Sequence, residues 1–166
     1  MIGMGNSMDA VKFEKAEQSA IEELVNLRLS YLQEDLGEIE KEDFLQIKEM
    51  LPSYFNRHLN QDLFVYIARD YEKIVSCAFL LIVEKPMSPA FITGKTGTVL
   101  NVYTKSNHRN KGYAKQLMTM LLEDAAKMNL SNIELKATEE GHHLYQMLGF
   151  EDVISKYHNM QFLMEK

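Results

Sequence analysis

The chain has 166 residues, of which 46% are apolar and 25% charged, a composition typical of one soluble globular domain. Its formal net charge of -6 at pH 7 argues against nucleic acid as a partner, because such proteins usually carry a basic face. Cys77 is the only cysteine, so no internal disulfide can form and a cytoplasmic location is expected.

The N-terminal residues and the apolar runs indicate whether the chain carries a targeting segment, a membrane span or more than one domain. Residues 1–8 lack the apolar core and positive charge of a signal peptide, and we interpret them as a loose N-terminal leader. The longest apolar run, Ile74–Val83, is shorter than the roughly 20 residues needed to cross a bilayer, so no membrane partner is expected. Residues 9–166 contain no repeat or linker, which predicts a single domain.

The first quarter of the chain predicts one strand and one helix. Val11–Ala16 alternates in polarity like a short strand. Ser19, followed three residues later by Glu22, has the spacing of a capping box and predicts that a helix begins there. The buried stripe of this helix is expected to contain Ile21, Leu24, Val25 and Leu32.

The next segment predicts a second helix and a strand pair. Apolar residues at helical spacing indicate a helix from about Asp43 to Leu59, in which Pro52 must cause a kink or a restart. Phe64–Ala68 and Lys73–Glu84 are β-branched, apolar runs on either side of a short turn, which favours an antiparallel pair. A loop, Pro86–Gly97, follows.

The second half of the chain alternates between strand and helix. A strand is predicted over Thr98–Thr104, and a helix follows the polar connection Lys105–Lys111. The apolar stripe of that helix is Ala114, Leu117, Met118, Leu121, Leu122 and Ala125. The later predicted elements are a strand at Asn132–Ala137, a helix at Gly141–Leu148 and closing strands at Phe150 and Met160–Met164. A crossover of this length joins parallel strands, so we predict an α+β fold with a mixed, twisted sheet.

The connection between the strand and the helix, Tyr103–Ala114, is basic in an otherwise acidic chain. It contains no carboxylate, and the basic residues in and just after it are Lys105, Arg109, Lys111 and Lys115. The first amides of a helix attract phosphate, and Gly112 allows an anion to approach the backbone. The alternative interpretation is a solvated basic loop that binds nothing.

Two motifs resemble the GNAT superfamily of N-acetyltransferases. Arg109-x-x-Gly112-x-Ala114, between a strand and a helix, resembles that family's acyl-CoA-binding signature. The stretch from Leu144 to Phe150, Leu-Tyr-Gln-Met-Leu-Gly-Phe, resembles its second motif at about the family's spacing. The resemblance implies a GNAT-like fold with helices on both faces of the sheet and a splayed pair of parallel strands.

The resemblance also implies a cosubstrate, acetyl-CoA, and the residues that bind it. Backbone groups of Val102, Tyr103 and Thr104 would contact the pantetheine arm and the thioester carbonyl. Thr138 stands where many relatives have an asparagine that contacts the cofactor, so the hydrogen bond to the cofactor is expected to be weaker or absent there. The pyrophosphate would be held by Arg109, Asn110, Lys111, Gly112, Tyr113 and Ala114.

The resemblance gives Tyr145 the role of general acid, which protonates the departing sulfur. Several relatives carry a glutamate base on the strand before the signature, but Gly97–Thr104 contains no carboxylate. Glu34, Glu84 or His58 could accept the proton through water, or the amine could arrive neutral. These alternatives stay open.

Arg28 lies on the apolar stripe of the first helix, four residues from both Leu24 and Leu32. A structural salt bridge is one interpretation, because an isolated buried charge is costly. Contact with the acceptor is the other, with Tyr31 beside it, since this helix borders the acceptor cleft in the family. Asn101 is a further candidate for that cleft, with a role at the strand edge as its alternative.

The sequence therefore favours an N-acetyltransferase that moves an acetyl group from acetyl-CoA to an amine by direct transfer in a ternary complex. The acceptor would be a small molecule or a peptide. A noncatalytic domain that binds or senses acyl-CoA is the alternative. No metal is expected, since His142 and His143 are adjacent and no metal-binding motif accompanies them. A homodimer is compatible with the sequence.

Overall fold

The computed structural model describes residues 11–165 of the chain. The predicted leader, residues 1–8, lies outside this range. The chain divides into two compact units, one ending at Lys136 and the other starting at Ala137, and each is described by itself. No helix in the described range is long and apolar enough to cross a membrane.

The first unit contains a five-stranded sheet whose strands are ordered as in the chain. The first three pairs of neighbouring strands are antiparallel, and the pair formed by the fourth and fifth strands is parallel. The strands are β1 (Lys12–Lys15), β2 (Leu63–Asp70), β3 (Lys73–Glu84), β4 (Lys95–Thr104) and β5 (Asn132–Glu134). The predicted mixed sheet and the predicted β2–β3 pair are confirmed.

Three helices of the first unit cover both faces of the sheet. They are α1 (Ile21–Leu36), α2 (Lys41–His58) and α3 (Tyr113–Ala125). On one face Phe55 of α2 packs edge-on against Phe79 of β3, with ring centroids 5.9 Å apart. On the other face the phenol of Tyr66 in β2 donates to Asp124 of α3 at 2.9 Å. Both faces of β2 and β3 are thus buried, which explains their nearly continuous apolar sequence.

The start of α1 differs from the prediction. A 3₁₀ turn, Gln18–Ala20, leads directly into the helix, and the N-cap residue is Ala20, with no side-chain cap. The predicted capping box is therefore wrong, because Ser19 lies inside backbone that is already turning. Of the predicted stripe, Leu24 and Val25 are buried, while the other two members are half-buried.

Helix α2 is continuous from Lys41 to His58 with Pro52 inside it, so a restart at this residue is wrong. A proline inside a helix removes one backbone hydrogen bond and crowds the carbonyl of the preceding turn, but it does not end this helix. The Asn56 side chain donates to the Pro52 carbonyl at 2.9 Å, whereas the acceptor that loses its backbone donor at Pro52 is the carbonyl of Lys48, four residues earlier.

The second unit contains one helix, α4 (Glu139–Met147), which begins two residues before the predicted start. Gly149, with a φ of 94°, ends it in the left-handed region, and the Phe150 amide donates to the Tyr145 carbonyl at 3.0 Å. Residues 151–165 form no strand and are exposed, so the predicted closing strands are wrong within the described range. Alternating apolar residues form a strand only where a neighbouring edge supplies hydrogen bonds.

Candidate functional site

Strand β4 has a parallel partner over only part of its length. Its pairing with β5 runs from Thr96–Asn132 to Thr98–Glu134, but the strand itself continues to Thr104. From residue 99 onward, β4 is therefore paired only with β3 among the strands of the first unit. This is the predicted splayed pair, and it leaves one edge of β4 with backbone groups that no strand of this unit satisfies.

A β-bulge lies on the same part of β4. Phe79 pairs with Leu100 and Cys77 with Tyr103, so two residues of β4 oppose one residue of β3. Asn101, within the bulge, has a φ of 51°, a left-handed conformation that asparagine tolerates better than most residues do. The bulge determines where the Asn101 side chain is placed.

The Asn101 side chain is buried and joins Arg28 to Cys77. Its Oδ1 accepts from Arg28 Nη1 at 3.1 Å, and its Nδ2 donates to Cys77 Sγ at 3.4 Å. The Arg28 guanidinium carbon also lies 5.6 Å from the centroid of the Tyr31 ring. The three predicted acceptor residues, Arg28, Tyr31 and Asn101, are thus neighbours. The salt bridge considered for Arg28 is not formed with any residue of the described range.

Tyr103 links the end of β4 to α1. Its phenol donates to Glu34 Oε1 at 2.8 Å, and its ring packs edge-on against that of Tyr31 with centroids 6.3 Å apart. Burial, followed by the hydrogen bond to Glu34, raises the pKa of Tyr103 to about 12. The phenol therefore stays neutral at physiological pH.

Arg109 ties the basic connection to α1 and β4. Its Nη2 donates to Glu34 Oε2 at 2.5 Å, and its Nε donates to the Thr104 carbonyl at 2.8 Å. The hydrogen bond from Arg109, with that from Tyr103, lowers the pKa of the Glu34 carboxyl. Sequence reasoning missed this pairing, because the two residues are 75 positions apart and no local pattern connects them.

The first turn of α3 presents backbone donors that no side chain caps. Its N-cap is Gly112, with a φ of 80° and no side-chain hydrogen bond to the helix. Within residues 11–165, the lysines at 105, 111 and 115 form no ion pair. Unsatisfied amides and nearby cations fit a phosphate group, so the residues predicted to hold the pyrophosphate have the chemistry that it needs.

A Cβ added at Gly112 would meet nothing within 4 Å. The glycine is therefore required by its backbone conformation and not by a lack of space. Tyr113, the first residue of α3, packs edge-on against Phe13 of β1 with centroids 5.8 Å apart, and Ala114 follows half-buried.

The three candidates for the base lie in different surroundings. Glu34 is bonded to Arg109 and Tyr103, and its lowered pKa makes it a weaker base. Glu84 pairs with Lys95 at the start of β4, roughly 30 Å from the end of that strand at 3.3 Å per residue. His58 Nδ1 lies 2.7 Å from Asp62 Oδ1, and its ring is 4.5 Å from that of Tyr54.

Two predicted site residues belong to the second unit. Thr138 is the N-cap of α4, and its hydroxyl accepts from the Gly141 amide at 3.1 Å. This structural role was not predicted, although threonine is a common N-cap. Tyr145 is half-buried in α4, and its ring packs edge-on against Phe150 with centroids 5.9 Å apart. The catalytic role of Tyr145 and the cofactor contact of Thr138 stay predictions.

Residues 21–150 match the model of a family described as the acetyltransferase (GNAT) family. No curated protein sequence is significantly similar to the chain. Among solved structures, a predicted acetyltransferase with acetyl-CoA from Clostridium acetobutylicum is 27% identical with a TM-score of 0.81, and the match covers 92% of this chain and 96% of that one.

Two further structures support the fold alone. A glucosamine-6-phosphate N-acetyltransferase from Arabidopsis thaliana is 20% identical with a TM-score of 0.62, over 92% of this chain and 99% of that one. A ribosomal-protein-alanine N-acetyltransferase from Brucella melitensis biovar Abortus 2308 is 23% identical with a TM-score of 0.65, over the same shares of the two chains.

The burial of Cys77 gives a prediction about its reactivity. The thiol is fully buried, and burial raises its pKa to about 12, so roughly one molecule in ten thousand carries a thiolate at pH 8. We expect native protein to leave an aromatic disulfide reagent unreacted at pH 8, and protein unfolded in guanidinium to release one equivalent of coloured thiolate. Reaction of the native protein at the rate of a free thiol would show that Cys77 is accessible.

Proposed function

Because this chain belongs to the GNAT family of acetyltransferases, we propose that it transfers an acetyl group from acetyl-CoA to an amine by direct transfer in a ternary complex. Acetyl-CoA would supply the acetyl group as an activated thioester. The observation that carries the proposal is the uncapped start of α3 at Gly112, with unpaired lysines around it, directly after the one-sided end of β4.

The start of α3 would bind the pyrophosphate. The amides after Gly112 point out of the helix end, and the positive end of the helix dipole favours an anion there. Lys111 and Lys115 add charge that no carboxylate of the described residues neutralises. Arg109 would contact the pyrophosphate while its Nη2 stays bonded to Glu34 and its Nε to the Thr104 carbonyl.

The unpaired edge of β4 would bind the pantetheine arm and the thioester carbonyl. We assign these contacts mainly to the backbone of Val102 and Tyr103, since the hydroxyl of Thr104 is bonded to Ser76 at 2.7 Å and its carbonyl to Arg109. A backbone amide aimed at the carbonyl oxygen would stabilise the negative charge that develops there, an effect commonly worth about 3 kcal/mol for one donor.

The transfer requires that two protons move. An N–C bond replaces a C–S bond, one proton leaves the amine, and one proton reaches the sulfur. We assign the second step to Tyr145, following the motif match, because a phenol is protonated at neutral pH and can donate to a forming thiolate. For the first step we favour His58, since Glu34 is held by Arg109 and Glu84 lies near the far end of β4.

Acetyl transfer is tested by measuring thiol release from acetyl-CoA in the presence of a broad panel of amines. We expect release that depends on an acceptor, with a product heavier by one acetyl group in mass spectrometry. Tight binding of acetyl-CoA with no release for any amine would instead support the noncatalytic alternative, which the absence of a carboxylate on β4 favours. No binding at all would contradict both.

Gly112→Ala is expected to weaken acetyl-CoA binding roughly tenfold, which equals about 1.4 kcal/mol. An alanine disfavours a φ of 80°, so the amides at the start of α3 shift away from the positions that suit a phosphate. Calorimetry with acetyl-CoA measures the change.

Gly37→Ala is the matched control for backbone strain. Gly37 also has a positive φ, 78°, and open space for a Cβ, but it follows α1. This variant should lose at least as much stability on thermal unfolding and yet bind acetyl-CoA as the wild type does. Equal affinity in all three proteins would contradict a phosphate site at Gly112.

Tyr145→Phe is expected to lower kcat roughly a hundredfold and to leave the Kd for acetyl-CoA nearly unchanged, because only the proton donor is removed. Tyr157→Phe, at a position 74% exposed in the same unit, is the control and should not change kcat. Steady-state thiol release and calorimetry measure the two quantities. Equal losses in kcat and in affinity would count against the acid role.

A further inference from the structure

Arg28 has no acidic partner among the described residues, unlike two other arginines of the first unit. Arg69 pairs with Glu14 and Glu23, and Arg109 pairs with Glu34. Arg28 is half-buried, and its hydrogen bond goes to the neutral amide of Asn101. Within residues 11–165 no carboxylate lies at ion-pair distance from Arg28, although an unpaired charge that is partly withdrawn from water is costly.

The Arg28–Asn101 contact is built by the bulge in β4. Asn101 is 4% exposed, and Cys77 receives its side-chain amide, so its Oδ1 is directed at the guanidinium. A guanidinium has five N–H donors arranged as a fork, and this contact uses one of them. The donors that remain are sufficient for a carboxylate, which arginine binds through two parallel hydrogen bonds.

Two phenols accompany the guanidinium. Arg28 lies over the ring of Tyr31, and its charge also acts on Tyr54 of α2. Burial raises the pKa of both phenols, so each stays neutral. The hydroxyl of Tyr31 is hydrogen-bonded to Asp35, and that of Tyr54 can donate to an anion. The charges of Asp35 and Asp62 also raise the pKa of Tyr31 and of Tyr54 respectively, while the charge of Arg28 lowers both.

This cluster lies beside the part of β4 to which the proposed function assigns the thioester. Asn101 immediately precedes Val102 and Tyr103 in that strand. An acceptor bound to Arg28 through one group would therefore bring its amine to the thioester only if the amine is a few bonds away from that group. A single positive charge matches a carboxylate better than a phosphate dianion, which would keep one charge uncompensated.

Resting on the proposed function, we propose that Arg28, oriented by Asn101, binds a carboxylate of the acceptor. The acceptor is then a primary amine that also carries a carboxylate, as a free amino acid does.

The experiment compares three probe sets in the thiol-release assay: free amino acids, their α-carboxamides, and phosphoethanolamine. The proteins are the wild type, Arg28→Gln and, as the control, Arg57→Gln, whose arginine is exposed and donates to the Ser53 carbonyl. We expect kcat/KM of the wild type to be roughly ten- to hundredfold higher for the best amino acid than for its carboxamide, since hydrogen bonds to charged groups have about this effect.

Arg28→Gln should bring this ratio close to one, mainly through a higher KM for the amino acid, while kcat/KM for the carboxamide falls much less and the Kd for acetyl-CoA stays unchanged. Arg57→Gln should keep the wild-type ratio. A wild type that accepts carboxamides or phosphoethanolamine as well as amino acids would overturn the inference, whether or not Arg28→Gln folds. So would an unchanged ratio in Arg28→Gln.

The inference and the proposed function can fail separately. Transfer to amines without preference for a carboxylate would uphold acetyl transfer and remove the role of Arg28. If no amine is acetylated, calorimetry of the same amino acids with the acetyl-CoA-bound protein tests the site directly. Heat that Arg28→Gln abolishes would support the carboxylate site, and absence of such heat would overturn it.

Discussion

The parallel pairing of β4 and β5 ends at Thr98, and the candidate site depends on that limit. Beyond this residue β4 has only one neighbouring strand in its unit, so its other edge keeps backbone donors and acceptors that a longer sheet would have used. An unpaired edge is usually a liability in a protein. Here it contains a bulge and leads into a basic connection, so the same stretch of backbone provides both a polar edge and a helix start.

Electrostatics around this edge is organised by α1. Its residue Glu34 neutralises Arg109 and accepts from Tyr103, while Arg28, nearly two turns earlier, meets only a neutral amide. The same helix thus supplies Glu34, which pairs with Arg109 of the basic connection, and Arg28, which pairs with no carboxylate of the described residues. The lysines around Gly112 stay available, although the chain as a whole is acidic.

The sequence predicted what local periodicity and turn chemistry encode. The β-branched, apolar runs of β2 and β3, the stripe of α3 and the glycine at 112 each express a local preference, and the structure confirms the elements that they predict. The capping box at Ser19 failed because one favourable local pattern was overridden by a turn that began earlier. The closing strands failed because pairing depends on a partner that no local pattern reveals.

The contacts that define the site were beyond sequence reasoning for the same reason. Arg109 finds Glu34, and Asn101 finds Arg28 and Cys77, across separations that only the folded sheet closes. The bulge that orients Asn101 is a backbone feature, and its positive φ carries no periodic signal. Residue types identified the candidates, and tertiary structure decided which of them became neighbours.

The burial of Cys77 has a practical consequence for following this protein in solution. Because the chain's single thiol is fully buried, a cysteine introduced at an exposed position becomes the sole attachment point for a fluorophore or spin label in the native state. The natural residue need not be replaced first, and its contact with Asn101 is preserved. Motions of the loops around β4 can then be recorded on a molecule whose interior is unaltered.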